Sequence, residues 1–231
     1  MNKKILVVFI LLCIALLSAI TLNNESTIAD TFKNLFIGQE ADKTEYSAFV
    51  ELGKDLKDEI SFDEGEQVIF SVNGEFVTLN EWKYNKVFED GKSKNFGIKS
   101  LSAEQMMDEL IERKMLISEA KRLRVYPSSK EVAAYVKEQA AFLKEPQLMA
   151  VLQGWEISEE QYLEFLSPIW ADSIAISNWE KTVIEAQPHF DNSKPWDAYK
   201  EEYDKLYQSE ITKLEASLQI EMTGLGRELG L

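Results

Sequence analysis

The chain has 231 residues, of which 45% are hydrophobic, so it is long enough to bury the core of one domain or of two small ones. Asp and Glu outnumber Lys and Arg by 40 to 25. The resulting net charge of −15 repels phosphate backbones, which argues against nucleic acid as a partner, and it favours solubility.

The first segment, residues 1–22, has the pattern of a signal anchor or a signal peptide. Lys3 and Lys4 precede an uncharged run over residues 5–22. As a helix this run would be about 27 Å long, close to the roughly 30 Å hydrocarbon core of a bilayer. Basic residues before the run and acidic residues after it favour a cytoplasmic N-terminus. An uncleaved anchor is favoured over a cleaved signal peptide, because the run is long and lacks a small-residue cleavage pattern.

We therefore expect a single-pass protein that is attached to the cell membrane through residues 5–22, with its main domain outside the cytoplasm. The only cysteine, Cys13, lies inside the apolar run, so the exported part has neither disulfides nor a thiolate metal site. The single histidine, His189, has no evident partners for acid–base or nucleophilic catalysis. There is no glycine-rich phosphate loop after a strand. These patterns predict no enzyme activity, no cofactor and no metal site.

Residues 23–66 form an acidic segment after the apolar run. Tyr46, Phe49, Leu56 and Ile60 fall mostly on one helical face, which predicts a helix in part of this segment. The helix could be a spacer between the membrane and the domain, or it could pack on the domain. The sequence does not distinguish these alternatives.

The stretch VIFSVNGEFVTLNEW, residues 68–82, carries two signals. Asn73-Gly74 between apolar, β-branched runs is typical of a tight β-hairpin. Thr78 followed by Glu81 is a capping box, which predicts that a helix begins there. Together they predict a short β-ribbon that leads into a helix.

The rest of the chain is predicted to be helical. Capping boxes at Ser102, Ser128 and Ser158 begin three helices, and a long last helix begins near Trp196. Pro168 should kink the third of these helices or restart it with Ser167 as its N-cap. The glycine-containing end, residues 223–231, is expected to be a flexible tail.

Three segments of the chain, taken in order, resemble a known protein family. The segments VNGE, ELIERKMLISEAKRLRVYPSSKEVAAYV and GWEISEEQYLEFL, in that order, resemble the N-terminal chaperone domain of SurA- and PrsA-type foldases. The resemblance implies a mostly α, SurA N-terminal-like domain with a minor β-ribbon over residues 67–222. Many members of that family also carry a parvulin prolyl-isomerase domain before the last helix. Between Trp179 and Trp196 this chain has room for a loop alone, so the isomerase domain is expected to be absent.

Aromatic residues are the candidate binding residues. The chain has five Trp, eight Tyr and twelve Phe, and several of them cluster around the third capped helix. The candidates for binding client polypeptides are Trp155, Tyr162, Phe165, Trp170 and Trp179, because aromatic side chains supply a large contact area at little entropic cost. Trp155, at a helix entry, is expected to be partly exposed. The alternative is that most of these residues belong to the core.

The sequence thus predicts a membrane-tethered, extracytoplasmic, ATP-independent chaperone that binds unfolded or extended segments of exported polypeptides. The alternative is a dedicated interaction module for one envelope partner, with no general chaperone activity. Whether a homodimer forms by exchange of the long last helix is left open by the sequence.

Overall fold

The computed structural model describes residues 43–62, 67–96, 99–187 and 196–231. The predicted anchor, Cys13 and His189 lie outside these ranges. Within them, no helix combines the length and the apolar character needed to cross a membrane.

The described part of the chain is mostly helical, with one small sheet, as the sequence predicts. The elements in chain order are α1 (Lys43–Glu59), β1 (Val68–Val72), β2 (Glu75–Thr78), α2 (Leu79–Phe96), α3 (Ala103–Arg122), α4 (Ser129–Gln139), a 3₁₀ helix (Ala140–Lys144), α5 (Pro146–Trp155), α6 (Glu159–Val183), α7 (Trp196–Glu215), β3 (Ile220–Met222) and α8 (Gly224–Glu228).

The sheet has three antiparallel strands in the order β2-β1-β3. Asn73 and Gly74 connect β1 to β2 with positive φ angles of 50° and 86°, the backbone conformation that a tight hairpin turn requires. Thr78 Oγ1 then accepts a hydrogen bond from the backbone N–H of Glu81 at 3.2 Å as α2 begins. The predicted β element that leads into a helix is confirmed, whereas the sequence did not indicate the third strand.

The helix starts are set by local side-chain chemistry. At each of Ser102, Ser128 and Ser158, the serine hydroxyl accepts from a backbone N–H three residues later, and that later side chain accepts from the serine N–H. The three predicted capping boxes are therefore confirmed. Pro168 lies inside α6, and the helix continues through it without a new start at Ser167. The sequence also missed α5, which begins with Pro146 in its first turn.

Two hydrophobic clusters form the core, and α6 contributes to both. The first joins α1, α2, α5 and the first half of α6, with Leu52, Phe88, Val151, Trp155 and Leu166 among its buried side chains. The second joins the sheet, α3, the second half of α6 and α7, with Phe70, Leu110, Ile117, Trp179 and Ile211 among its buried side chains. The long α6 thus connects the two halves of the described structure.

The described part of the acidic segment packs on the domain. Leu52 and Leu56 of α1 are completely buried, and α1 crosses α5 at Gly53 and Gly154. This finding decides between the two alternatives for α1, because a spacer would leave such side chains in water.

The C-terminal end, which the sequence predicts to be a flexible tail, forms a short capped helix in the structure. Thr223 caps α8 by accepting from the Gly226 N–H at 3.2 Å, and its hydroxyl donates to the Ile69 carbonyl at 2.8 Å. Gly226 is buried against the same strand. The end of the chain is therefore held by β1, through groups far away in sequence.

Candidate functional site

An open, mostly apolar groove of about 690 Å³ lies between α4 and α6. Val132, Ala133 and Val136 of α4, with Ala140 directly after the helix, form one wall. Leu163, Pro168 and Ala171 form much of the α6 wall. Lys137 is the one charged side chain among the residues that line it. This groove is a concave, mostly apolar surface that is open to solvent, as binding sites for apolar segments are.

The groove exists because α4 is not fully packed. An amphipathic helix usually buries its apolar stripe. None of the residues of α4 is fully buried, however, and Val132 and Val136 are half-buried. Tyr135 supports the helix from the other side, with its ring edge-on to Trp170 at 6.1 Å between centroids. The small side chains of Ala133 and Ala140 leave space in front of α6 instead of filling it.

The connection from α3 to α4 is fixed to α6 by side-chain hydrogen bonds. Asn178 Nδ2 donates to the Val125 carbonyl at 2.9 Å, and the Tyr126 hydroxyl donates to Asp172 Oδ1 at 3.2 Å. Because Tyr126 and Pro127 line one end of the groove, these bonds set where α4 begins and how far that end of the groove opens.

A buried charge network lies behind this end of the groove. Lys114 Nζ is 3.1 Å from both Asp172 Oδ2 and Glu81 Oε1, and the Lys114 side chain is only 8% exposed. Burial alone would lower the pKa of the Lys114 ammonium, but the Glu81 and Asp172 carboxylates outweigh it and hold that pKa above its ordinary value. Lys114 is therefore a charged structural link between α2, α3 and α6.

The Tyr126 hydroxyl keeps its proton under all physiological conditions. Burial and the adjacent Asp172 carboxylate raise the pKa of Tyr126 well above its ordinary value. The phenol consequently remains a hydrogen-bond donor to Asp172. The network thereby holds Tyr126 in place at one end of the groove.

The structure separates the aromatic residues that the sequence singled out. Trp155, Tyr162, Phe165 and Trp170 lie in or against the first core cluster, whereas Trp179 lies in the second. All except the half-buried Phe165 are buried. In the structure these side chains belong to the two core clusters or pack against them, and they do not form an exposed binding surface.

The expectation that Trp155 is partly exposed is wrong. Trp155 is the last residue of α5, and its side chain is 2% exposed. Phe62 stacks on it at 5.7 Å between ring centroids, and Tyr162 and Phe165 meet it edge-on at 6.2 and 5.4 Å. A surrounding of aromatic rings, rather than a position at a helix end, determines its burial.

A second buried acid lies between α6 and α7. Glu180 is 5% exposed and lies beside Tyr203, whose ring stacks on Tyr207 at 6.0 Å between centroids. Burial raises the pKa of the Glu180 carboxyl to about 8. The Tyr207 hydroxyl donates to Glu112 Oε1 at 2.7 Å. Both carboxyl groups hold α7 on the second core cluster.

In the ranges that the structure describes, no group of three or more His, Cys, Asp or Glu side chains could hold a metal ion. The buried carboxyl group of Glu81 forms an ion pair with Lys114, and that of Glu180 lies beside Tyr203. The groove between α4 and α6, by contrast, is open to solvent.

The binding residues predicted from the sequence do not include the α4 side of the groove. Val132, Val136 and Ala140 recur at helical spacing, which predicts a buried face, and the structure leaves that face half-open. The one available signal was the run of small residues around Ala133 and Ala134. Searches of protein-family models, of curated proteins and of solved structures gave no match to this chain.

Proposed function

We propose that this chain is a membrane-tethered, extracytoplasmic chaperone that holds unfolded segments of exported polypeptides without ATP, and that the α4–α6 groove is where they bind. The observation that carries the proposal is the groove itself: about 690 Å³, mostly apolar and open to solvent. Unfolded chains expose apolar side chains, and covering them in such a groove removes that surface from water.

The charge of the chain suits this role. A holding protein must remain soluble while its apolar groove is accessible and while it carries an unfolded client. A net charge of −15 supplies the repulsion between copies that opposes their association through exposed apolar surface.

The weak burial of α4 supports transient binding rather than a permanent interface. A helix without a fully buried residue can shift on α6 at little cost in packing, and promiscuous binding surfaces adapt in this way. The loop at Tyr126, by contrast, is fixed by its bond to Asp172. The proposed site therefore combines one adaptable wall with one fixed end.

We also propose that the chain has no prolyl-isomerase activity. Residues 184–195 alone separate the end of α6 from the start of α7, which is too short a segment to hold a further domain. The order of the helical segments, similar to that of SurA- and PrsA-type chaperone domains, supports a chaperone without the isomerase. The apolar run over residues 5–22 supports the membrane tether.

The test places a bulky side chain in the groove, and its control places the same side chain at the neighbouring residue outside the groove. Ala133 lines the groove and Ala134 does not, although both are exposed residues of α4. Ala133→Phe and Ala134→Phe therefore carry the same helix-propensity cost and the same added ring. The measurement is suppression of light scattering when chemically unfolded lysozyme or lactalbumin is diluted into the purified full chain.

The wild type and Ala134→Phe should suppress aggregation at near-stoichiometric amounts, and Ala133→Phe should lose most of that effect. Lack of suppression by the wild type would overturn the chaperone function. Equal suppression by both variants would remove the groove as the site. Tight binding of one purified envelope protein, without suppression for either client, would favour a dedicated interaction module instead.

A further inference from the structure

The two walls of the groove carry opposite charges at their outer edges. Lys137 lines the groove on the α4 side, and Lys130 lies seven residues earlier, two helical turns away on the same face. On α6, Glu164 precedes the lining residue Pro168 by four positions, and Glu160 precedes Glu164 by four. All four charged side chains are exposed. We call Lys130 and Lys137 the basic edge, and Glu160 and Glu164 the acidic edge.

Neither edge is neutralised by the protein itself. Within the described ranges, none of the four side chains forms an ion pair or a side-chain hydrogen bond. The neighbouring Glu159 is paired with Lys144 at 2.9 Å, and Glu131 is occupied in the capping box of α4. Glu131 and Glu138 are also absent from the groove lining and belong to the outer stripe of α4. The groove thus presents free positive charge along one edge and free negative charge along the other.

An apolar floor between two helices is the geometry that accepts an amphipathic helix, with its apolar stripe toward the floor. The side chains that border such a stripe then face the two edges. Complementary charges at these borders would fix which way the occupant lies and would exclude occupants with the wrong charge on either side.

We propose, given the function proposed above, that the groove takes amphipathic helical segments whose apolar stripe is bordered by acidic side chains facing α4 and basic side chains facing α6. The apolar stripe supplies the affinity, and the charged edges supply the selection. Segments with the same charge on both borders meet repulsion at one edge.

The experiment measures anisotropy of labelled peptides that share one apolar stripe and differ at its borders. One peptide has Glu on the border facing α4 and Lys on the border facing α6, one has Lys on both, one has Glu on both, and one has Gln on both. They are titrated with the purified full chain. The mixed peptide should bind about three- to fivefold more tightly than either single-charge peptide at low salt. The difference should disappear at about 1 M salt, where exposed charges are screened.

Charge reversal then tests each edge. The double variant with Glu160→Lys and Glu164→Lys makes both edges basic, so it should prefer the all-Glu peptide. The double variant with Lys130→Glu and Lys137→Glu should prefer the all-Lys peptide. The matched control replaces Glu201 and Asp204, both exposed on α7, by Lys. It changes the net charge by the same amount as the first variant and should keep the wild-type ranking.

The outcomes separate this inference from the function on which it rests. If the four peptides bind equally, or if the α7 control changes the ranking as much as the edge variants do, selection by the edges is wrong. The chaperone function survives that result if Ala133→Phe still abolishes peptide binding. If no peptide binds, or if Ala133→Phe has no effect on any of them, the groove is not a polypeptide site and both proposals fail.

Discussion

Gly53 of α1 and Gly154 of α5 meet where the two helices cross, backbone against backbone. A Cβ atom on Gly53 would lie 2.1 Å from the Val151 carbonyl oxygen and 2.8 Å from the Gly154 Cα. A Cβ atom on Gly154 would lie 2.0 Å from the Val50 carbonyl oxygen. The crossing therefore excludes any other residue at either position unless the helices move apart.

Gly53→Ala should destabilise the protein, although the same change in an ordinary helix stabilises it by up to about 1 kcal/mol. The clash is with backbone atoms, which cannot turn away as a flexible side chain can, so we expect a net loss of about 1–3 kcal/mol. Urea denaturation measures it. The matched control is Gly224→Ala in α8, where a Cβ atom would meet nothing within 4 Å, and an equal loss there would contradict this explanation.

The sequence predicts the α1 helix, but it does not predict this crossing. The stripe of Phe49, Leu56 and Ile60 predicts the α1 helix, and the helix is present. The pattern could not show whether the stripe meets the domain, because that depends on Gly154, about a hundred residues later in the chain. A glycine inside a helix pattern usually lowers confidence in the helix, and here it marks a close packing site.

Removal of residues 223–231 provides a second test of a long-range contact. The truncation deletes the Thr223 hydroxyl that bonds the Ile69 carbonyl, the α8 helix and the half-buried Leu225. We expect a loss of about 2 kcal/mol or more, from one helix cap and part of a buried leucine. Denaturant midpoints of the full and truncated chains measure it. Equal midpoints would show that this segment is the flexible tail that its composition suggests.

Trp155→Ala should destabilise the protein as much as the truncation of a large core side chain does. The side chain is 2% exposed inside a cluster of aromatic rings, so the loss should be about 3–5 kcal/mol. Phe62→Ala is the control, because Phe62 stacks on Trp155 but is 48% exposed and should cost far less. The thermal unfolding midpoints of the two variants measure this difference in stability. A stable Trp155→Ala variant with impaired client binding would restore the tryptophan as a binding residue.

The α4–α6 groove and Trp155 both show that burial is hard to predict from the spacing of apolar residues. Spacing along a helix identifies an apolar face, but it does not show whether another element covers that face. Trp155 lies at a helix end and is covered by Phe62, Tyr162 and Phe165, whereas the α4 stripe lies mid-helix and is half-open. The capping boxes were predictable because all their hydrogen bonds are made within four residues. Whether residues far away in the sequence cover an apolar face was not predictable in this way.

Glu180 should make the stability of the protein depend on pH. Burial raises the pKa of its carboxyl to about 8, even though the neighbouring Tyr203 hydroxyl lowers it, and the nearby Glu185 charge adds to the rise. In the unfolded chain a glutamate loses its proton near pH 4.3. Between these two values the folded state retains a proton that the unfolded state has released. The contribution of Glu180 to stability is therefore complete at low pH and is lost as the pH rises toward about 8.

Glu180→Gln isolates this effect, because the amide has nearly the same size as the carboxyl group but cannot ionise. The variant and the wild type should be similarly stable at about pH 5, and the variant should become more stable by on the order of 2–4 kcal/mol above about pH 8. Urea denaturation at three pH values across this range measures the difference. Glu228→Gln, at an exposed position in α8, is the control and should follow the wild type at every pH. A difference between Glu180→Gln and the wild type that stays constant with pH would show that the Glu180 carboxyl does not titrate in this window, and the assigned burial of its charge between α6 and α7 would then be wrong.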